Sequence, residues 1–422
     1  MITSLIFACA MVWGVPKITL IHYHWTETTY DPIIQKAVKA FEAKHPNVEV
    51  KVIFLPDADR ANVIRTVLAS KGDIDSFALS NGEAPEFYEG GQMLPIIPAS
   101  FGKKSVDDVV KMWNPGSFET VGAARDGAYY GVPFELSNFV AWINTADMKE
   151  VGLDPKRDIP KTWEDFAAVA GKLVKKQGGV TVRNGFMNNS KAGVFNVIVL
   201  DTIMEQLGLD WSTEKGLLAS MDKPDVLARG LRTYTDLVTK SKVWEPAFAD
   251  NDREGFGNNK TATFMTGGTW YWGVLDTYSV KRADVQPFAF PRFKDGKDLG
   301  GVGYGFALFV SKLSKHPDLA FEFLDTLASY PNDFAAKGLY QPREKLSTGS
   351  MAIDAAVARK SIPYYDEVFK PELGKTSRML SSTKSTPVMD AQWDAISRVI
   401  FEGVSVDDSV AKMRSEIKAI FQ

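Results

Sequence analysis

Cysteine is all but missing. Cys9 is the single cysteine in 422 residues, and its place near the N-terminus leaves the folded body without disulfide or thiol chemistry. Such a chain must be held by its core, and 45% hydrophobic residues in a sequence of this length can build a large one. Charge of one sign is also lacking. Lys and Arg number 49 against 52 Asp and Glu, a net charge of −3, and the basic residues are scattered, which removes the electrostatic footprint of a nucleic-acid binder. No Gly-x-Ser-x-Gly elbow and no His pair at zinc spacing appear. His22 and His24 form a strand i,i+2 pair that shares a face, with no third ligand nearby in sequence, so a packed strand end is expected over a metal site. No cofactor or metal is called for. Neither an internal repeat nor a low-complexity tract is visible.

Long apolar runs are confined to Ile2–Val15, which is too short to span a bilayer and is followed by Pro16 and Lys17. Residues 1–16 therefore read as a secretory signal peptide, with Ala8, Ala10 and Gly14 as small residues near a cleavage site. Around Cys9, Ile6-Phe7-Ala8-Cys9 departs from a lipoprotein-processing site in its bulky Phe7, so simple cleavage is expected over lipid anchoring. The expected location is the periplasm or the outer face of the cytoplasmic membrane.

What is present begins with Gly127-Ala-Tyr-Tyr-Gly-Val-Pro-Phe-Glu-Leu-Ser-Asn-Phe-Val-Ala-Trp-Ile-Asn144. Asp126-Gly127 predicts a tight turn, and the segment after it predicts a buried strand carrying Glu135, Ser137 and Asn138. Polar side chains in an apolar strand either pair with one another or face a cleft where a polar ligand satisfies them.

Around this stretch the chain alternates. Ile18–Tyr23 predicts a strand, and Asp31-Pro32 opens a helix with Ile34, Ala37, Val38 and Phe41 on one face. Val48, Val50, Val52 and Phe54 follow with strand alternation, then a second helix and a short strand over Ile74–Leu79. This opening implies a parallel sheet flanked by helices, with functional loops at the carboxyl ends of the strands. Thr162 and Ser405 each start a helix, and Asn259–Trp272 predicts a strand ending in the Gly267-Gly268 turn. Gly300–Gly305 is not a dinucleotide fingerprint, because Phe306 stands where its third glycine is needed.

Asp126-Gly-Ala-Tyr-Tyr-Gly-Val-Pro133, Trp142-Ile-Asn144, Gly152-Leu-Asp154, Thr162-Trp-Glu-Asp-Phe166, Lys260-Thr-Ala-Thr-Phe-Met-Thr-Gly-Gly-Thr-Trp270 and Ala320-Phe-Glu-Phe-Leu324 occur in this order. From about Ile18 to the C-terminus the chain resembles the extracellular solute-binding proteins of bacterial ABC importers, in the sugar-binding group that includes maltose-binding proteins. The resemblance implies an α/β fold of two lobes, each a mainly parallel sheet flanked by helices, joined by a multi-segment hinge. The N-terminal lobe would comprise residues 17–132 and 290–329, and the C-terminal lobe residues 133–289 and 330–422. Crossings are expected near Val132-Pro133, Pro287–Pro291 and Tyr330-Pro331.

The same resemblance implies a carbohydrate ligand held between the lobes, an ABC permease as partner, a monomer, and no enzymatic activity. Sugar hydroxyls need directional donors and acceptors while C–H faces pack on aromatic rings. In the ligand loops of such a protein, Trp25, Thr26 and Glu27, then Asn81, Glu135, Asn138, Trp270, Trp272, Tyr304 and Arg343 become ligand candidates. Each has a structural alternative: core packing for the tryptophans, helix capping for Glu135, a turn role for Asn81, a surface charge for Arg343. Trp142, Trp163 and Trp393 match positions expected in the core. A polyol or polyol phosphate is the alternative ligand, and a secreted glycoside-acting enzyme is the weaker alternative function.

Overall fold

The computed structural model describes residues 17–57, 59–188, 193–247, 251–343 and 361–422. The signal-peptide and Cys9 expectations fall outside the described residues. Within them, no helix is long and apolar enough to cross a membrane.

The first strand, β1 (Ile18–Trp25), pairs in parallel with β2 (Val48–Leu55) and with β3 (Ser76–Ser80). The connecting helix Asp31–Lys44 carries Pro32 in its first turn and buries Ile34, Ala37, Val38 and Phe41, the i, i+3, i+4, i+7 stripe of an amphipathic helix. A two-residue hairpin follows later, β4 (Ala124–Arg125) with β5 (Ala128–Tyr129). Its turn residues Asp126 and Gly127 have φ of 52° and 78°, the left-handed pair that matches strand twist. β6 (Gly131–Asn138) and β7 (Val140–Asn144) come next, with only Phe139 between them. The small hairpin β8 (Lys175–Gln177) and β9 (Val180–Arg183) decorates the second lobe. Beyond it lie β10 (Thr263–Gly267), β11 (Val285–Phe288), the long β12 (Gly300–Val310) and β13 (Thr376–Ser377).

β12 ties the first sheet together by pairing antiparallel with both β3 and β6, while its start pairs with β13. The second sheet is β10-β7-β11, antiparallel throughout. The two-lobe α/β class is as expected, but this second sheet is not parallel. β7 and β10 are buried at every position, so they show no in–out alternation that would mark an antiparallel sheet with one solvated face.

The strand pairing also moves the crossings. Pro133 was expected to leave the first lobe, yet Gly131–Asn138 pairs with β12 along its length. The register steps from Phe306↔Glu135 to Ala307↔Pro133, leaving Phe134 as a bulge. Pro133 thus marks a bulge in a strand, a position that tolerates a missing N–H, and not an exit from the sheet. Chain passage falls at Phe139, whose N–H donates to the Val302 carbonyl. Likewise Phe290, Phe293 and Val302 pack in the second core with Ile143, Trp163 and Phe166, so β12 crosses after Val302 and not near Pro287–Pro291. Phe334 packs edge-on against Phe134 of β6 at 5.1 Å and Tyr30 at 5.9 Å, which keeps the chain against the first lobe past Tyr330-Pro331. At the junction a Cβ on Gly301 would collide with the Phe139 carbonyl oxygen and the Phe290 ring. Only glycine permits that approach.

The helix starts behave locally. Thr162 Oγ1 accepts from Asp165 N–H at 3.1 Å, and Ser405 Oγ accepts from Asp408 N–H at 3.1 Å, both N-caps. Asp31 differs from its expected capping role. Tyr30 is the cap residue, and the Asp31 carboxylate instead accepts from Thr26 Oγ1 and Glu27 N–H.

Candidate functional site

The site starts from β6, whose eight residues are all buried. Alternation turns Glu135 and Ser137 to one face, and their cross-strand partners Phe306 and Tyr304 stand on that face beside them. Asn138 alternates to the other side, so Ser137 and not Asn138 accompanies Glu135.

Aromatic rings line this face. Trp25, at the end of β1, lies 4.4 Å from Phe306 between ring centroids. Above both sits Arg60, the first residue of the helix Arg60–Ala69, 4.9 Å from the Phe306 ring and 5.7 Å from that of Trp25. Its guanidinium is 1% exposed and donates to Asp57 and, at 2.6 Å, to Glu83. Glu83 in turn accepts from Ser80 N–H and Oγ. A buried arginine needs such partners.

The opposite wall comes from the second sheet. β10 ends at Gly267, and after Gly268 the indole N–H of Trp270 donates to the Tyr304 hydroxyl. Arg253 lies 4.6 Å over the Trp270 ring and 4.3 Å over Phe195. Gly268 faces a convergence of polar atoms. A Cβ there would stand 2.5 Å from the Tyr304 hydroxyl, 2.6 Å from Ser137 Oγ and 2.7 Å from Trp270 Nε1.

Several buried polar atoms around these walls have no hydrogen-bond partner among the described residues. They include Glu135 Oε1, Tyr30 Oη and Arg60 Nε from the first lobe, and Thr269 Oγ1 and Arg253 Nε from the second. Thr29 Oγ1, also without a partner there, lies near Gly273 of the short helix Tyr271–Leu275. Unpaired buried groups each cost free energy and are rare in a finished core. These six lie where the two lobes meet, while others, such as the indole N–H groups of Trp211 and Trp244, lie within the second lobe.

Electrostatics follow the burial. Loss of water raises the Glu135 carboxyl to about 8, helped by the charges of Asp57 and Glu27 and opposed by Arg60. Burial, followed by the Glu135 charge, also pushes the Tyr304 phenol up. The Glu27 carboxyl is raised by burial, with backbone hydrogen bonding to Thr29 acting against it.

Other expected site residues are placed as follows. Thr26 is exposed, its hydroxyl held by Asp31. Asn81 is half-buried and tied to Gly305 through its backbone N–H at 3.0 Å. Trp272 was expected on the Trp270 face by strand alternation, but a helix starts at Tyr271, and two residues on a helix turn through about 200°. Trp272 therefore enters the core, edge-on to Trp142 at 5.0 Å, with its indole N–H donating to the Pro363 carbonyl. Arg343 is no surface charge and does not join the Glu135 face. It is 1% exposed, stacked 4.1 Å over Trp113 and paired with Asp325 at 2.7 Å.

His22 and His24 do share a face. His22 Nε2 lies 3.0 Å from His24 Nδ1, and its Nδ1 lies 2.8 Å from Ser76 Oγ. Burial pushes His22 down to about 3 and His24 well below its usual range, so both are neutral.

Sequence reasoning missed Arg60, Arg253, Tyr30 and, as a site residue, Ser137. Arg60 had a usable signal, since it follows the carboxyl end of a parallel strand, where α/β sheets place ligand loops. Arg253 had none, because its approach to Trp270 is purely tertiary. A separate surface depression of about 390 Å³ on the second lobe is lined by Asn144, Asp147, Lys175, Arg183 and Lys281. The Arg183–Asp147 ion pair lies within it, and none of the aromatic rings above reaches it.

Residues 25–333 match the family model for the bacterial extracellular solute-binding protein. A lactose-binding protein of Rhizobium radiobacter is 22% identical over 83% of this chain and 78% of its own length. Among solved structures, an ABC transporter solute binding protein of Thermotoga lettingae TMO bound with alpha-D-tagatose superposes with a TM-score of 0.79 at 17% identity, covering 96% of this chain and 100% of that one. UgpB of Mycobacterium tuberculosis, in complex with glycerophosphocholine, gives a TM-score of 0.74 at 16% identity over 97% and 99% of the two chains. These structural likenesses carry the fold.

Proposed function

The chain belongs to the bacterial extracellular solute-binding proteins, and from that premise we propose that it captures a carbohydrate between its lobes and delivers it to an ABC permease. Family membership sets it on the extracellular side of the membrane and makes the cleft a binding site, not a site of turnover. One observation carries the choice of ligand. Buried polar atoms of Glu135, Tyr30, Thr269 and Arg253 without protein partners stand beside the rings of Trp25, Phe306, Tyr304 and Trp270. Ligand hydroxyls would satisfy the polar atoms while ligand C–H faces cover the rings. Thr26, Glu27 and Asn81 would stand at the mouth of this cleft.

Closure would turn on the segments at Phe139 and Gly301–Tyr304. Contacts from both lobes stabilise the closed form, so affinity is what remains after the cost of closing. The closed shape is what the permease would read.

A polyol phosphate is the less favoured ligand. Glu135, Glu27, Asp57 and Glu83 stand in the same region, and the two terminal nitrogens of Arg60 are engaged by Asp57 and Glu83. A phosphate calls for converging free cations. A thermal-shift screen against mono-, di- and oligosaccharides, polyols and polyol phosphates tests the proposal, since binding raises the melting temperature by mass action. Stabilisation by phosphorylated compounds alone would refute the neutral-sugar reading.

Within that reading, Trp270→Ala should weaken the stabilising sugar by about 1–3 kcal/mol while the protein stays folded. Arg253 covers one face of the indole, which leaves the other for the ligand. Unchanged affinity by titration calorimetry would remove Trp270 from the site.

A further inference from the structure

We propose that Glu135 serves the cleft as a neutral carboxylic acid, donating its own proton to an oxygen of the bound sugar instead of only accepting hydrogen bonds as a carboxylate. The inference rests on the carbohydrate reading for its ligand, while the charge state of Glu135 rests on its burial, its unpartnered oxygen and the charges around it.

Glu135 is 3% exposed, and its Oε1 has no partner among the described residues. A carboxylate in that position would need a cation or several N–H donors. Arg60 is the cation that acts on it, and its two terminal nitrogens already donate to Asp57 and Glu83. Every other group facing Glu135 is neutral or negative. From the connection after β1 come Glu27 and Tyr30, from the connection after β2 comes Asp57, and from β12 comes Tyr304. His24, on β1, is buried and uncharged. Two carboxylates, two phenols and one already paired guanidinium do not support a further negative charge on the buried Glu135. Holding the proton removes the conflict, and the raised titration point to about 8 agrees.

The chemical consequence concerns recognition. A neutral carboxyl offers one O–H donor and one C=O acceptor, like an amide, so it can engage a sugar's ring oxygen or the lone pairs of a hydroxyl as well as a hydroxyl proton. Opposite it in register, Phe306 presents an apolar ring on the same face.

The first test needs no ligand. In protein carrying ¹³C-carboxyl glutamate, the Glu135 resonance, identified by its absence in Glu135→Gln, should titrate near pH 8, well apart from surface glutamates. Asp57→Asn should move that midpoint down, because it removes a like charge and frees a guanidinium nitrogen of Arg60. This second variant decides the question should the glutamine variant fold poorly. Titration of Glu135 together with surface glutamates would overturn the proposal.

The second test uses maltose, lactose and D-tagatose as probes in calorimetric titrations. If only the neutral form binds, affinity for a probe that binds should fall about tenfold between pH 6 and pH 9, following the shrinking neutral fraction. Glu135→Gln should lose that pH dependence, and Glu135→Ala should bind weakly at both pH values. A wild-type affinity flat across this range would overturn proton donation. Binding of none of the three sugars, with the carboxyl still titrating near pH 8, would count against the carbohydrate reading and leave the neutral acid in place.

Discussion

Equilibrium urea melts should show Glu135 lowering stability by about 2 kcal/mol as pH rises from 6.5 to 8, with Glu205 adding to the fall. Burial raises Glu135 from 4.5 to about 8 and Asp201 well above its ordinary range. Asp201 lies in the helix Gly193–Gln206, is 2% exposed, and accepts from Gln392 Nε2 at 2.6 Å. Glu205, one turn on, is raised by burial to about 7 and adds to the charge that Asp201 must avoid. In the unfolded chain Glu135 and Glu205 have released their protons by pH 6.5, whereas in the folded chain they hold most of them. Raising the pH therefore favours the unfolded state, and each retained proton costs about 1.4 kcal/mol per pH unit. The stability these carboxyls contribute is complete below pH 4.5 and lost as pH climbs through their folded values.

The buried histidines act in the opposite sense. His22 is pushed down to about 3 and His24 is also lowered, so their contribution is present above pH 6.5 and lost as pH falls. Between pH 6.5 and 8 the unfolded histidines still shed protons, which raises stability by about 0.4 kcal/mol each and offsets part of the carboxyl decline, so the carboxyl share is read as the difference between wild type and carboxyl variants. Glu135→Gln and Glu205→Gln should each remove part of the decline. A Glu135→Gln variant whose stability follows that of wild type between pH 6.5 and 8 would show that Glu135 is ionised in the fold.

How much of this was legible in the sequence varies with the range of the interaction involved. The Thr162 and Ser405 helix caps and the Asp126-Gly127 turn depend on neighbours a few residues away, and they stand where the pattern predicts them. The polar set on β6 was legible as an anomaly, because polar side chains in an apolar strand stand out against period-2 patterning. Its partners were not. Arg253 lies against Trp270 and Phe195, a contact between distant segments that leaves no local trace. Crossing points failed for a different reason. Pro133 breaks ladder hydrogen bonding wherever it sits, so a bulge inside a sheet and an exit from it look alike in sequence. Trp272 was misplaced by period, since one strand residue more or less decides whether the next aromatic shares a face or is turned inward.

Arg343→Ala should cost about 3–5 kcal/mol of stability while leaving sugar affinity of the folded protein unchanged. The family resemblance made it a ligand candidate, with a surface charge as the alternative. Its surroundings give it another task. The guanidinium is 1% exposed, stacks 4.1 Å over Trp113 and donates to Asp325 at 2.7 Å. Trp113 sends its indole N–H to the Pro133 carbonyl at 3.0 Å, and Asn114 N–H donates to the Pro342 carbonyl at 2.9 Å. Arg343 thus fastens the segment after the helix Pro331–Ala335 to the bulged end of β6 and, through Asp325, to the helix Pro317–Leu327. Truncation would remove the stacking contact and the Arg343 charge from beside the Asp325 carboxylate, which is 8% exposed. The two residues can therefore be tested as a pair. Arg343→Met combined with Asp325→Leu should recover much of the stability that Arg343→Ala loses, and the two single changes should be far from additive. If instead Arg343→Ala weakens sugar binding without destabilising the protein, Arg343 belongs to the cleft and the buried pair is secondary.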